Sequence, residues 1–354
     1  MDRADLIVVG AGVVGLFTAY YAARAGYNVV VLERERAGSG ASGANAGVLH
    51  LIQPPPGKLR RELAPMSARR YRDIAPALGV EIIEAPLLIL ALNRREELLL
   101  HPLKLLIKHW LSPGTKAEVI KGREAQEIEL AITPNTRKAL LVEGYGIVHP
   151  PALIEALKKA VQEEGAHVEE GVSVEEITCG DNTVTVITGQ NMHLKARYAV
   201  NAAGPGAQRL AEGHGVEVKV ALKPGAMELY EKPKVNAVIA RIPTSSKTKG
   251  GAVIPWPGET LLGPTLSEDP NYNPTPGEVA ERYKPLLAEE PRGYKGTIIG
   301  YRTVARPRDF HIIRPRKCPR TVHLLGIESP GLTAAPLLAE IALYRLGIRG
   351  IKRG

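Results

Sequence analysis

The stretch DLIVVGAGVVGLFTAYYAARAGYNVVVLE, residues 5–33, constrains this chain more than any other. Residues 5–10 form a continuous apolar run ending in glycine, the pattern of a strand buried on both faces of a parallel sheet. Gly10, Gly12 and Gly15 then follow in G-x-G-x-x-G spacing, and Val13 to Ala25 reads as an apolar helix stopped by Gly26. A second apolar run over 28–32 ends at Glu33. Together these make one βαβ unit of the usual length, about 30 residues. The three glycines allow, in turn, the tight turn, the close approach of backbone to a pyrophosphate, and the close packing of helix on strand. Ala11, Val13 and Val14 complete the turn, where free N–H groups and the positive helix end suit phosphates. Glu33 follows at the spacing where a carboxylate accepts from ribose hydroxyls, and Arg34 adjoins it. The unit is a Rossmann-type nucleotide fold.

The glycine pattern alone does not separate NAD from FAD. Two further features favour FAD. Residues 38–47, GSGASGANAG, are so poor in side chains that backbone must approach something closely, as a long cofactor running past its ribose would require. A second strand–glycine–helix junction, GIESPGLTAAP at 326–336, offers another helix N-terminus, suited to negative charge developing on a reduced flavin ring.

Between these junctions the pattern changes. PPPG at 54–57 marks a break, and a charged helical region and an apolar stretch at 98–111 follow, stopped by SPG at 112–114. Residues 150–165 read as an amphipathic helix with proline at its start and Gly165 at its end. Strands are expected at 167–178, 183–188, 193–201 and 321–327, and antiparallel sheet over 216–300. The fold class is therefore mixed α/β. A discontinuous FAD-binding domain takes 1–57, 146–215 and 301–354, and a second, β-rich substrate-binding domain takes 58–145 and 216–300. No internal repeat interrupts this plan.

A net charge of +9 invites a nucleic-acid reading, but the lysines and arginines are dispersed and only the C-terminal IRGIKRG forms a basic patch. No nucleic-acid-binding motif accompanies it, so no nucleic-acid partner is expected. The N-terminus lacks a secretory pattern, and no apolar run reaches the roughly 18 residues that read as a membrane span. Cys179 and Cys318 stand far apart and outside metal-ligand spacing, which points to unpaired thiols, a reducing cytoplasmic setting and no metal site.

GAGVVGL with Glu33, SGASGANAGVLH, GIVHPPALIEAL, ARYAVNAAGPGA, LLGPT, GYRTVARPRDFHI and GIESPGLTAAPLLAE occur in this order. The set resembles the D-amino-acid oxidase-like superfamily of FAD oxidoreductases. LLGPT with GIESPGLTAAP is most similar to the branch of glycerol-3-phosphate dehydrogenases and L-2-hydroxyglutarate oxidases. The chain stops soon after its last helix, where those dehydrogenases usually carry a further C-terminal domain. The resemblance implies a glutathione-reductase-like fold and non-covalent FAD. Gly10, Gly12, Gly15 and Glu33 would hold the ADP half, and Ser42, Gly43, Asn45, Ala46 and Gly47 would lie along the pyrophosphate and flavin. Val174, Ala203 and Gly204 would close the adenine side, with Gly331, Leu332 and Thr333 by the pyrimidine edge of the ring.

Catalysis would need a clamp for an anionic group and, for an alcohol, a base. Arg302 matches the family's substrate-clamping arginine, against the plainer reading of a surface ion pair, and Arg306 is a second candidate. His50 ends the segment that the family sets beside the isoalloxazine, and its imidazole suits a hydroxyl proton; a structural histidine is the competing reading. Tyr301 and Trp256 are candidate substrate contacts, although for them and Tyr294 core or sheet packing is the favoured reading. The expected reaction is oxidation of a small anionic 2-hydroxy acid or polyol phosphate, with electrons passed to a quinone, oxygen or a carrier protein. Oxidative deamination of an amino acid is the alternative, and a flavin-bearing subunit of a larger dehydrogenase is the non-enzyme reading. In LLLHPLKLLIKHWL, residues 98–111, His101, Lys104 and Lys108 share one stripe of a helix otherwise rich in leucine. Burial or a dimer interface is favoured over peripheral contact with the cytoplasmic face of a membrane.

Overall fold

The computed structural model describes residues 4–111, 115–242 and 251–350. The chain begins with β1 (Ala4–Val9), α1 (Val13–Arg24), β2 (Val29–Glu33) and β3 (Val48–Leu49). Helices α2 (Leu59–Ala68) and α3 (Tyr71–Ala77) lead to β4 (Ile82–Glu84), β5 (Leu87–Ala91) and α4 (Arg94–Ile107). Next come β6 (Ala117–Lys121), α5 (Gly122–Ile128), β7 (Lys138–Val142), β8 (Gly146–Val148) and α6 (Pro150–Glu163). A strand-rich stretch holds β9 (His167–Glu170), β10 (Val174–Cys179), β11 (Val184–Thr188) and β12 (His193–Asn201), then α7 (Ala207–Glu212). The remainder is β13 (Lys219–Lys232), β14 (Val238–Arg241), β15 (Ala252–Trp256), β16 (Glu259–Gly263), β17 (Arg292–Arg306), β18 (His311–Ile313), β19 (Thr321–Leu325) and α8 (Gly331–Arg345).

The first sheet runs β10-β11-β12-β1-β2-β9, with β19 also pairing β12 and β18 pairing β19. Its centre is parallel: β1 lies between β12 and β2, and β2 pairs β9. Helices α1, α6 and α8 cover one face, and Leu6, Val8, Phe17, Tyr21, Leu157 and Leu338 share a core there. That arrangement explains why β1 and β2 read as unbroken apolar runs. The second sheet, β17-β13-β16-β15-β14-β5-β7-β6, is antiparallel except at β14–β5. The apolar runs and glycine turns of 216–300 thus form antiparallel strands as expected. A small sheet, β3-β8-β4, joins the two layers.

Three details differ from the sequence reading. The segment 58–80 packs with the nucleotide layer, because Leu63, Ala64, Tyr71 and Ile74 turn their apolar faces into the α1–α8 core. The boundary expected at residue 301 falls inside β17, which pairs with β13 as far as Arg306. The cysteines are not free thiols: Cys179 and Cys318 form a disulfide, with Cα atoms 5.5 Å apart. Sequence distance hid this. Strands β11 and β19 both lie along one edge of β12, so Cys179, opposite Val184, and Cys318, just before Thr321, meet where those strands begin.

Behind that bridge lies a buried chain of polar side chains. Asn201 Nδ2 donates to His323 Nδ1 (2.9 Å), His323 Nε2 to His214 Nδ1 (2.8 Å), and His214 Nε2 to the Ile177 carbonyl (2.7 Å). Both rings are satisfied as neutral tautomers in this network. A further proton on His323 would set N–H against N–H. Burial, with His214 beside it, holds the His323 pKa down to about 3 from 6.5. Unfolded chains therefore take up a proton that the folded protein refuses, and stability falls as pH drops from about 6.5 toward 3. At pH 5 His323 alone removes about 2 kcal/mol. Thermal melts at pH 7 and pH 5 are expected to show this loss, and a His323→Leu variant a flatter pH dependence.

Among the described residues no helix is long and apolar enough to cross a membrane. Helix α4 starts at Arg94, capped by Asn93, whose side chain accepts from Glu96 N. The SPG stop expected after it lies outside the described residues, as do the last four residues of the basic tail. Burial of this helix was the favoured expectation, but only Glu96, Leu100 and Ile107 are buried in it. Its neighbours β5, β6 and β7 cover one side alone.

Candidate functional site

A cavity of about 1120 Å³ runs between the two sheets, from Glu33, Arg34 and Val174 at one end to His50, Tyr301 and Arg302 at the other. Small-molecule pockets usually hold about 300–1,000 Å³, so an extended ligand fits with room beside it. The β1–α1 turn forms its floor. Gly10 sits at φ +100°, and a Cβ there would lie 2.6 Å from the Ala202 carbonyl oxygen. Only glycine lets the two strand ends meet around the cavity. At Gly12 a Cβ would come 3.1 Å from Ser42 Oγ, and that hydroxyl accepts from Val13 N at 3.0 Å. The 38–47 loop is thereby tied to the positive end of α1, the place a phosphate would take. Glu33 Oε2 accepts from Ala11 N at 2.8 Å and Oε1 from Glu35 N at 3.0 Å, fixing the carboxylate at the end of β2.

At the other end, three distant segments are joined by hydrogen bonds. Thr333 Oγ1 accepts from His50 N (3.3 Å) and donates to the Val48 carbonyl (3.1 Å), so α8 holds the β3 segment. Tyr71 Oη donates to the Leu332 carbonyl at 2.7 Å, bracing the start of α8 from the opposite side. Strand β17 brings Arg302 to the cavity, opposite Lys223 of β13.

The charges here are unequal. Among the described residues the arginines lining the cavity are Arg34, Arg209, Arg241 and Arg302. Arg34 pairs with Glu35 (3.3 Å), Arg209 with Glu175 (2.8 Å) and Arg241 with buried Glu96 (2.8 Å). Arg302 has no hydrogen-bonding or ion-pair partner among the described residues. The nearby carboxylate of Glu328 is taken by Arg308, at 2.6 and 2.7 Å. Burial lowers the Arg302 pKa, an effect that Glu328 partly offsets; an arginine nevertheless stays charged. Burial first, and the Arg302 charge second, hold the His50 pKa down to about 4, so its imidazole is neutral near pH 7.

Of the residues expected at the site, Gly10, Gly12, Val13, Val14, Glu33, Arg34, Ser42, Asn45, Ala46, Val174, Ala203, Gly204, Gly331, Leu332, His50, Tyr301 and Arg302 line this cavity. Ala11, Gly15, Gly43, Gly47 and Thr333 stand behind the lining. Gly15 packs against the Gly10 backbone, Gly43 N bonds the Gly38 carbonyl, and Gly47 N bonds Asn45 Oδ1. Two expected substrate contacts lie elsewhere. Arg306 is exposed at the end of β17, and Trp256 packs edge-on to His149 in the apolar core of the second layer. Strand length explains both. Arg306 lies four residues past Arg302, and Trp256 two residues past the cavity-lining Ile254, each beyond the point where its strand leaves the cavity. Sequence reasoning missed Glu328, Arg241, Leu103 and Tyr145, all cavity residues. Glu328 sits inside GIESPG, and an acid among glycines and proline was the available signal.

The family described as FAD dependent oxidoreductase (DAO) matches residues 5–345. The glycerol 3-phosphate oxidase of Mycoplasma genitalium is 27% identical, over 99% of this chain and 96% of that protein. Among solved structures, L-alpha-glycerophosphate oxidase from Mycoplasma pneumoniae with FAD bound superposes with a TM-score of 0.89 at 24% identity, covering 99% of this chain and 96% of that one. Glycine oxidase from Geobacillus kaustophilus gives a TM-score of 0.88 at 21% identity, covering 99% and 97%. The glycine cradle and the long cavity fit the same dinucleotide. The chain belongs to the DAO family of FAD-dependent oxidoreductases, and FAD is its cofactor.

Proposed function

We propose that this enzyme oxidises a small anionic secondary alcohol of the glycerol-3-phosphate type, with the electrons passing on to oxygen, a quinone or a carrier protein. One observation carries the reading: the only cavity arginine without a carboxylate partner among the described residues, Arg302, lines the same cavity as His50 and with burial holds that imidazole neutral. A guanidinium fork binds a phosphate or carboxylate in a fixed orientation. FAD, when bound, supplies the two-electron acceptor. The names of the Mycoplasma relatives support a glycerol phosphate as the alcohol.

The residues of the chain divide the work. Arg302 orients the substrate anion and excludes substrates lacking one. His50, unprotonated, accepts the hydroxyl proton at a ring nitrogen as the carbinol C–H bond breaks. Arriving anion cancels part of the Arg302 charge, and that charge is the second cause of the low His50 pKa. Substrate binding therefore raises the basicity of His50 when a base is needed. Arg302 would hold the carboxylate of an amino acid as well, so the preference for an alcohol rests on the neutral imidazole of His50, which can take a hydroxyl proton. Glu328 and Arg308 neutralise each other beside the anion subsite and leave Arg302 as its attracting charge.

A His50→Gln enzyme is expected to reduce its flavin about a hundredfold more slowly with glycerol-3-phosphate, measured anaerobically in a single turnover. An unchanged rate would remove His50 from the chemistry.

A further inference from the structure

Helix α4 offers solvent leucines and basic side chains, with Arg95 exposed among the leucines. Leu98 and Leu105, one above the other two turns apart, are 72% and 65% exposed, and Leu99 and Leu106 flank them at 44% and 42%. At 3.6 residues per turn, every exposed residue of the helix and of the following Lys108 falls in one contiguous half of its circumference. Along one border of the leucines run Arg94, His101 and Lys108, all exposed. The half contains no acid. Glu96 is buried against Arg241, and Glu97 is held by Arg137 and Lys138. The apolar surface continues onto α2: Glu62 bonds His109 and Arg69 bonds the Trp110 carbonyl, and between them on the same helix face Met66 is 59% exposed.

Leucines beside basic side chains, with no acid in the exposed half of the helix, match an anionic lipid surface: acyl chains take the leucines and headgroup phosphates Arg94, Arg95 and Lys108. An antiparallel second copy would bring the basic border of one helix against that of the other. The 14-residue helix is too short to cross a bilayer, so it would lie in the plane of the interface. We infer that α4 docks this enzyme on an anionic lipid bilayer, with Leu98, Leu99, Leu105 and Leu106 immersed at the headgroup boundary. The opposite side of α4 presents Leu103 to the cavity, so docking sets the cavity wall beside the membrane. Docking through these side chains is independent of which substrate the cavity takes.

Flotation of the FAD-loaded enzyme tests it, with vesicles of equal parts phosphatidylglycerol and phosphatidylcholine and with vesicles of phosphatidylcholine alone. The enzyme is expected to float with the anionic vesicles and to remain below with the neutral ones. In a Leu98→Glu/Leu105→Glu variant the floating fraction should fall at least about tenfold, while flavin colour and activity with a soluble dye acceptor are kept. Enzyme left at the bottom with both vesicle types would overturn the inference. So would a solution dimer, seen by light scattering, that the double variant converts to monomer.

Discussion

An Arg302→Met enzyme is expected to lose about a thousandfold in kcat/KM toward glycerol-3-phosphate, or ~4 kcal/mol of transition-state binding, while remaining yellow. The magnitude follows from removing one partner of a desolvated ion pair, which leaves the substrate anion buried without a counter-charge. The neighbouring cations are already engaged: Arg241 is committed to Glu96, and Arg308 to Glu328. Arg302→Lys should recover part of the loss, because a point charge attracts the anion but does not fix its orientation. A merely structural role for Arg302 would not move the pH profile, whereas the proposed role must. The guanidinium charge helps to hold the His50 pKa near 4. Without it the residual kcat/KM should begin to fall with acid at a higher pH than in the unaltered enzyme. A profile that does not shift would separate Arg302 from His50.

The second large effect concerns the cofactor. Gly10→Val is expected to yield colourless protein with FAD affinity lowered at least about a hundredfold, because two penalties coincide. A β-branched residue at φ +100° is strained, and its Cβ would lie 2.6 Å from the Ala202 carbonyl oxygen. Relief requires β1 and the 202–204 turn to part at the cavity floor. Gly26→Ala is the matched control. Its φ of +85° imposes a comparable backbone cost of ~1 kcal/mol or more, but a Cβ there meets nothing within 4 Å. That variant should melt earlier and stay yellow. Equal loss of colour in both would point to general destabilisation instead of a specific cradle.

Much of this was legible in the sequence because the nucleotide layer is built from local signals. The β1–α1–β2 unit writes its own period, its turn needs glycine, and Glu33 sits one strand length beyond. Ser42 and Asn45 could be reached through the poverty of side chains around them. What escaped depends on distant segments meeting. Cys179 and Cys318 are 139 residues apart and become neighbours only because β11 and β19 share one edge of β12. Arg306 read as a weaker second clamp behind Arg302, because charge type carries no information on where a long strand leaves a cavity. Trp256 was a candidate pocket aromatic for which packing was the favoured reading, and it does pack, against His149, because β15 has passed the end of the cavity by that residue. The leucines of α4 illustrate the opposite error. An apolar helix reads as buried by composition, yet sheet strands cover only one of its sides, and that depends on what packs there. Glu328 was passed over because its role comes from Arg308, across a turn with no periodicity.

Anaerobic titration of the yellow protein tests the central claim most directly, with the visible absorbance of the flavin followed as glycerol-3-phosphate, L-2-hydroxyglutarate or glycine is added. Rapid bleaching by glycerol-3-phosphate, lost in Arg302→Met and slowed in His50→Gln, is the predicted result. Bleaching by glycine with no response to either anionic alcohol would contradict it.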